Sequence, residues 1–157
     1  MRRRSLLGMS ASLLIAACAH QATEAPPAMA WSLQQNPSEG LKLTYGQAHS
    51  DNLLVMMSCQ PASGQVELAV AAREPGAAVR LASAGDQVEL AGEAWPTPME
   101  GVMLVSDVAP AQAPVLARFS RSGQLTVEAD GRAVRTVARG DDRALVAEFV
   151  SLCGREV

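Results

Sequence analysis

His49 stands beside Ser50 and Asp51, the three residue types that an acyl-transfer centre uses as base, nucleophile and orienting acid. Neighbours on an extended chain point to opposite sides, so Ser50 is badly placed for His49, and no Gly-x-Ser-x-Gly elbow occurs in the sequence. His49-Ser50-Asp51-Asn52 reads better as a polar turn, which leaves a small hydrolase as the last-ranked alternative. His49 with Met56, Met57, Met99 and Met103 would make a soft copper set, but methionine within apolar strands is ordinary core material. The 16 acidic residues single out no pair for glycoside hydrolysis, and no phosphate-binding glycine loop is present. The inventory therefore gives no reason to expect catalysis, a metal or an organic cofactor.

Arg118, Arg121, Arg132, Arg135 and Arg139, with Arg143, are the densest charge feature and a candidate face for phosphate, lipopolysaccharide headgroups or an acidic protein. Glu128, Asp130, Asp141 and Asp142 are interspersed with them, so an ordinary solvated surface explains the run better. Of the two tryptophans, Trp95 beside Pro96 and Pro98 is the one expected at the surface.

The elements that must position these groups are mainly strands. Leu41, Leu43 and Tyr45 alternate with Lys42 and Thr44; Val66, Leu68 and Val70 alternate with Glu67 and Ala69; Val88-Glu89-Leu90 and Leu125 to Glu128 continue the pattern. Leu53 to Met57 is unbroken and suits a strand covered on both faces. Gly46, Gly64, Glu74-Pro75-Gly76, Gly85-Asp86 and Trp95-Pro96-Thr97-Pro98 punctuate the segments, and Asp130-Gly131 signals a hairpin. About eight short strands predict one β-sandwich or roll. Pro114 to Ser122 predicts a short helix stopped by Gly123, with Leu116 and Phe119 inward. A C-terminal helix follows from Asp141 and Asp142 at its start, apolar residues at helical spacing from Leu145 to Leu152, and Gly154 at its end; it should lie on the sheet.

The N-terminus carries a different signal. Arg2, Arg3 and Arg4 precede an apolar run from Leu6 to Ala17 that is too short for a permanent membrane span. Ile15-Ala16-Ala17-Cys18 resembles the lipobox of bacterial lipoproteins position by position. That resemblance implies cleavage before Cys18, acylation of its sulfur, and a lipid-anchored domain facing the periplasm; Ala19 in place of aspartate favours the outer membrane over the inner. At about 0.8 kcal/mol per buried CH₂, two or three acyl chains hold a protein on a bilayer. Arg3-Arg4-Ser5-Leu6-Leu7 also resembles a twin-arginine signal, so both export routes stay open. The chain divides into a signal peptide (1–17), a lipidated cysteine and proline-containing tether (18–30) and a β-rich envelope domain (31–157).

In an oxidising envelope compartment the two remaining cysteines are expected to pair. Cys59 continues the phase of Val55 and Met57, and Cys153 ends the apolar stripe of the last helix. Leu43-Thr44-Tyr45-Gly46, Ser50-Asp51, Cys59, Pro114 to Phe119, Ser122-Gly123, Leu125, Phe149 and Cys153 resemble small uncharacterised secreted proteins of alphaproteobacteria, a resemblance that brings no catalytic residue. The net charge of −3 becomes −6 once the three leader arginines are removed, which disfavours nucleic acid as a partner. A non-catalytic binding or scaffolding lipoprotein is the expectation, with an envelope protein or polymer as partner. The alternative is an inhibitor of envelope-directed hydrolases, which would need a protruding loop.

Overall fold

The computed structural model describes residues 28–48, 50–73, 78–97 and 103–154. The segment that the sequence predicts as an export signal, together with Cys18, His49 and Met99, lies outside the described residues.

Alternation of apolar and polar residues yields two antiparallel sheets, as the sequence predicts for a mainly β chain. The larger sheet runs β1 (Met29–Asn36), β2 (Gly40–Gln47), β3 (Leu53–Cys59), β4 (Gln65–Ala72), β8 (Met103–Pro110) and β7 (Glu93–Pro96) from edge to edge. The smaller runs β10 (Arg132–Val137), β9 (Gln124–Ala129), β5 (Val79–Ser83) and β6 (Asp86–Leu90). Helix α1 (Pro114–Ser122) leads from the larger sheet to the smaller, and α2 (Asp141–Gly154) follows β10. Strands beyond the eight expected include β1, whose polar run Gln34-Gln35-Asn36 hides its alternation, and β7, whose Trp95-Pro96 reads as a turn. Proline is tolerated in β7 because that strand is at the sheet edge.

Register explains the core. Leu33, Leu43, Met57 and Leu68 stand opposite one another across β1 to β4, and Trp31, Tyr45, Val55, Val70, Val105 and Ala94 form the next rung across the whole sheet. This face meets α2, which lies over β1 and β2, and the smaller sheet, which reaches it where β9 nears β4 and β6 nears β8. Val115, Leu116 and Phe119 of α1 and Val146, Phe149 and Cys153 of α2 are buried in the same cluster. Trp31 packs against Tyr45 and Phe119 with ring centroids 5.2 and 5.1 Å apart, which joins β1, β2 and α1.

Several polar groups fasten the layers. The Trp31 backbone N–H, on the outer edge of β1, donates to Asp142 Oδ2 at 3.2 Å, tying the start of α2 to the sheet. Gly123 takes the left-handed conformation after α1 (φ 70°) and donates to the Phe119 carbonyl at 2.8 Å, as a helix stop requires. Where the chain crosses from β6 to β7, Asp107 accepts from the N–H groups of Val108 (2.7 Å) and Gly92 (3.2 Å). These bonds, with a further one from Ala91, hold its carboxyl below the usual carboxylate range.

Cys59 and Cys153 form a disulfide across a sequence separation of 94, with Cα atoms 5.9 Å apart. The turn after β3 reinforces it: Ala62 N donates to Leu152 O at 2.8 Å and Gly64 N to Cys153 O at 3.0 Å, satisfying the last carbonyls of α2.

One expectation is corrected. Leu53 to Met57 is not covered on both faces: Val55 and Met57 enter the core and Leu54, at the register shift, packs against it, whereas Met56 is half-buried on the opposite face and Leu53 is 43% exposed. Both helices and the smaller sheet lie on one side of the larger sheet, so its other face, among the described residues, looks outward.

Candidate functional site

A groove of about 630 Å³ lies on that outward face, over β1, β2 and β3. Ser32, Thr44 and Met56 form its floor because they occupy the phase opposite Leu33, Leu43 and Met57. The hydroxyls of Ser32 and Thr44 are 2.7 Å apart, and Thr44 is buried beneath them.

The walls come from strand ends and the β2–β3 turn. Gln34 and Lys42 stand at one end; Gln47, Ser50, Asp51 and Leu53 stand at the other. The ladder shifts register between Tyr45 and Gly46, and a Cβ on Gly46 would come within 2.6 Å of a Leu53 methyl and 2.7 Å of the Asn52 carbonyl. Glycine is therefore what lets the turn fold back over the strand. Ser50 Oγ donates to Gln47 O and accepts from Asn52 N, each at 3.1 Å, so its hydroxyl is committed to the turn. Lys42 bonds Glu39, and that hydrogen bond holds the Glu39 carboxyl below its ordinary range. The groove thus offers hydroxyls, amides, a thioether and an aliphatic side chain, with a cation at one end and a carboxylate at the other. Such a surface binds by hydrogen bonding and apolar contact along an extended ligand.

The other sequence candidates lie apart from it. Arg118, on α1, pairs with Asp86 at 2.7 Å. Arg121 closes α1, and its carbonyl accepts a bond from Arg143. Arg132 opens β10, Arg135 sits in its middle and Arg139 follows its far end, so the strand spreads the three over about 20 Å. Met56 and Met57 face opposite sides of β3, and among the described residues no group of three His, Cys, Asp or Glu is placed to hold a metal ion. Trp95 is 55% exposed and Trp31 is 3% exposed, with its indole N–H buried.

The groove itself was not apparent in the sequence. Its floor belongs to the polar phase of β2, which reads as a solvated face, and to β1, whose first two residues fall in the predicted tether and whose polar run Gln34-Gln35-Asn36 hides the strand pattern. The available signal was Met56, an apolar residue in the phase that alternation assigns to solvent. No family model matches the chain, and neither a curated protein nor a solved structure matches it significantly.

Proposed function

We propose that the protein is a non-catalytic lipoprotein of the bacterial cell envelope, anchored through Cys18 and facing the periplasm from the outer membrane, whose domain binds an envelope protein or polymer along the outward groove. The groove is the observation that carries the binding role: its hydroxyl pair, amides and the apolar side chains of Met56 and Leu53 suit an extended strand, and Ser50 is engaged in its turn. The lipobox-like Ile15-Ala16-Ala17-Cys18 supports the anchor, and the Cys59–Cys153 bridge suits an oxidising compartment. An anchored domain meets its partner at high effective concentration, so modest groove affinity suffices.

Intact-mass analysis of native protein should find cleavage before Cys18 and an acylated residue there; an unmodified sulfur overturns the anchor. For the groove, a photo-crosslinking residue at Gln34 should trap a defined envelope component that the same residue at Gln87, on the smaller sheet, does not. Identical adducts from both positions, or none from Gln34, overturn the binding site.

A further inference from the structure

The edges of the two sheets are unequally defended. β7 is four residues long and carries Glu93 and Pro96, β10 carries Arg132 and Arg135, and β6 carries Asp86 and Glu89. Short length, charge and proline are the usual means of keeping an edge from pairing with another chain. β1 has none of them: Met29 to Asn36 is eight residues without a charge, a proline or a bulge, in unbroken register with β2. The Trp31 N–H marks which backbone groups of β1 point outward, and alternation adds those of Leu33 and Gln35. Asp142 occupies the Trp31 N–H, and α2 then crosses from β1 toward β3, where Cys153 meets Cys59. Among the described residues, no group bonds the outer N–H of Leu33 or Gln35, and Ser32, Gln34, Gln35 and Asn36 are exposed.

We infer that a second copy of the chain pairs antiparallel with this edge, β1 against β1, about a two-fold axis. The register follows from the groups left free. With Leu33 opposite Gln35 of the second copy, and Gln35 opposite its Leu33, the outer N–H and C=O groups of these residues are exchanged in both copies while the Trp31 N–H stays with Asp142. A slide of two residues one way presses the Gln35 carbonyl onto the Asp142 carboxylate; a slide the other way sets Pro37, which has no N–H, opposite Leu33. The dyad then passes between the two Gln34 residues, a close pair whose side-chain amides can bond each other, and Ser32 meets Asn36 beside them. No charge of β1 opposes its own copy, whereas β10 against itself would gather arginines. On the outward face the two grooves, each lined by Gln34, run into one another across the dyad. So few residues bury less than the roughly 1,200 Å² of stable complexes, so the pairing is reversible. It rests on the edge of β1, not on the Cys18 anchor or on what the groove binds.

The chain from Ala19 onward keeps every described element and has no thiol outside the Cys59–Cys153 bridge, so an added cysteine reports contact between copies. Residues facing one another as the two Gln34 do have Cα atoms about 4.5 Å apart, within reach of a disulfide. Gln34→Cys should therefore give about tenfold more covalent dimer under mild oxidation than Ser32→Cys, whose two copies stand about 14 Å apart along the strands in this register. Both positions are exposed on the same face, so chance collision would trap them equally. Adding Gln35→Pro to Gln34→Cys removes one outer donor and should bring the dimer down to the Ser32→Cys amount with an unchanged melting temperature, because that N–H points away from β2. No dimer from Gln34→Cys overturns the inference and leaves the edge to another occupant, the N-terminal segment or a foreign strand. Equal trapping from Ser32→Cys overturns it as well, as does a Gln34→Cys dimer that survives Gln35→Pro. If the dimer forms but photo-crosslinking at Gln34 traps only copies of the chain, the groove loses its envelope ligand and the β1 pairing stands.

Discussion

Replacing both Cys59 and Cys153 by alanine removes the covalent tie but leaves its surroundings. Ala62 N and Gly64 N still meet the Leu152 and Cys153 carbonyls, and Phe149 still fills the core, so the native fold changes little. The cost falls on the unfolded chain, which regains the freedom of a loop closed over a 94-residue separation. Chain-entropy arithmetic for that length gives about 4–5 kcal/mol at 25 °C. Against a typical domain stability of about 5–15 kcal/mol, this is a large share. For a domain of this size it corresponds to a melting temperature lowered by about 15 °C. Equilibrium urea unfolding followed by circular dichroism, wild type against double variant, measures it. Because the uncrosslinked denatured state is more expanded, the slope of stability against urea should also rise. A loss below about 1 kcal/mol would refute the assignment of the bridge as the main staple. A full loss with an unchanged slope would place its effect in the native state instead.

Three further outcomes follow from local geometry. Gly123→Ala puts a Cβ at φ 70° and 2.7 Å from the Ala138 carbonyl, so thermal unfolding should show a loss of about 2 kcal/mol or more, and a change under 0.5 would contradict the strained stop. Ala113 caps α1 without a side-chain bond while holding extended dihedrals, so Ala113→Ser should gain about 0.5–1 kcal/mol in the same assay. Asp107 binds its backbone donors best when ionised, and its folded value is depressed. Its contribution is complete above the ordinary aspartate range and vanishes as pH falls through the lower folded value, so the stability gap between wild type and Asp107→Asn should be constant at neutral pH and close in acid.

The helices were legible because their signals are local: Pro114 and Gly123 bound one, and Asp141 and Gly154 bound the other. The disulfide was legible through phase, since Cys59 and Cys153 each ended an inward-facing series. What stayed hidden depends on other strands. Whether Met56 meets a covering layer is decided by where α2 and the smaller sheet dock, and both dock on the opposite face. Similarly, Glu39, Asp86 and Asp142 are ordinary acids until the fold brings each to Lys42, Arg118 or the Trp31 N–H.

Joining residue 59 to residue 153 encloses β4 through nearly all of α2 in a single covalent ring. One proteolytic cut in any connection within that span opens the ring without separating its parts. A nicked molecule would keep both fragments joined until a reductant arrived. Such damage would remain invisible on a non-reducing gel and appear as two bands on a reducing one.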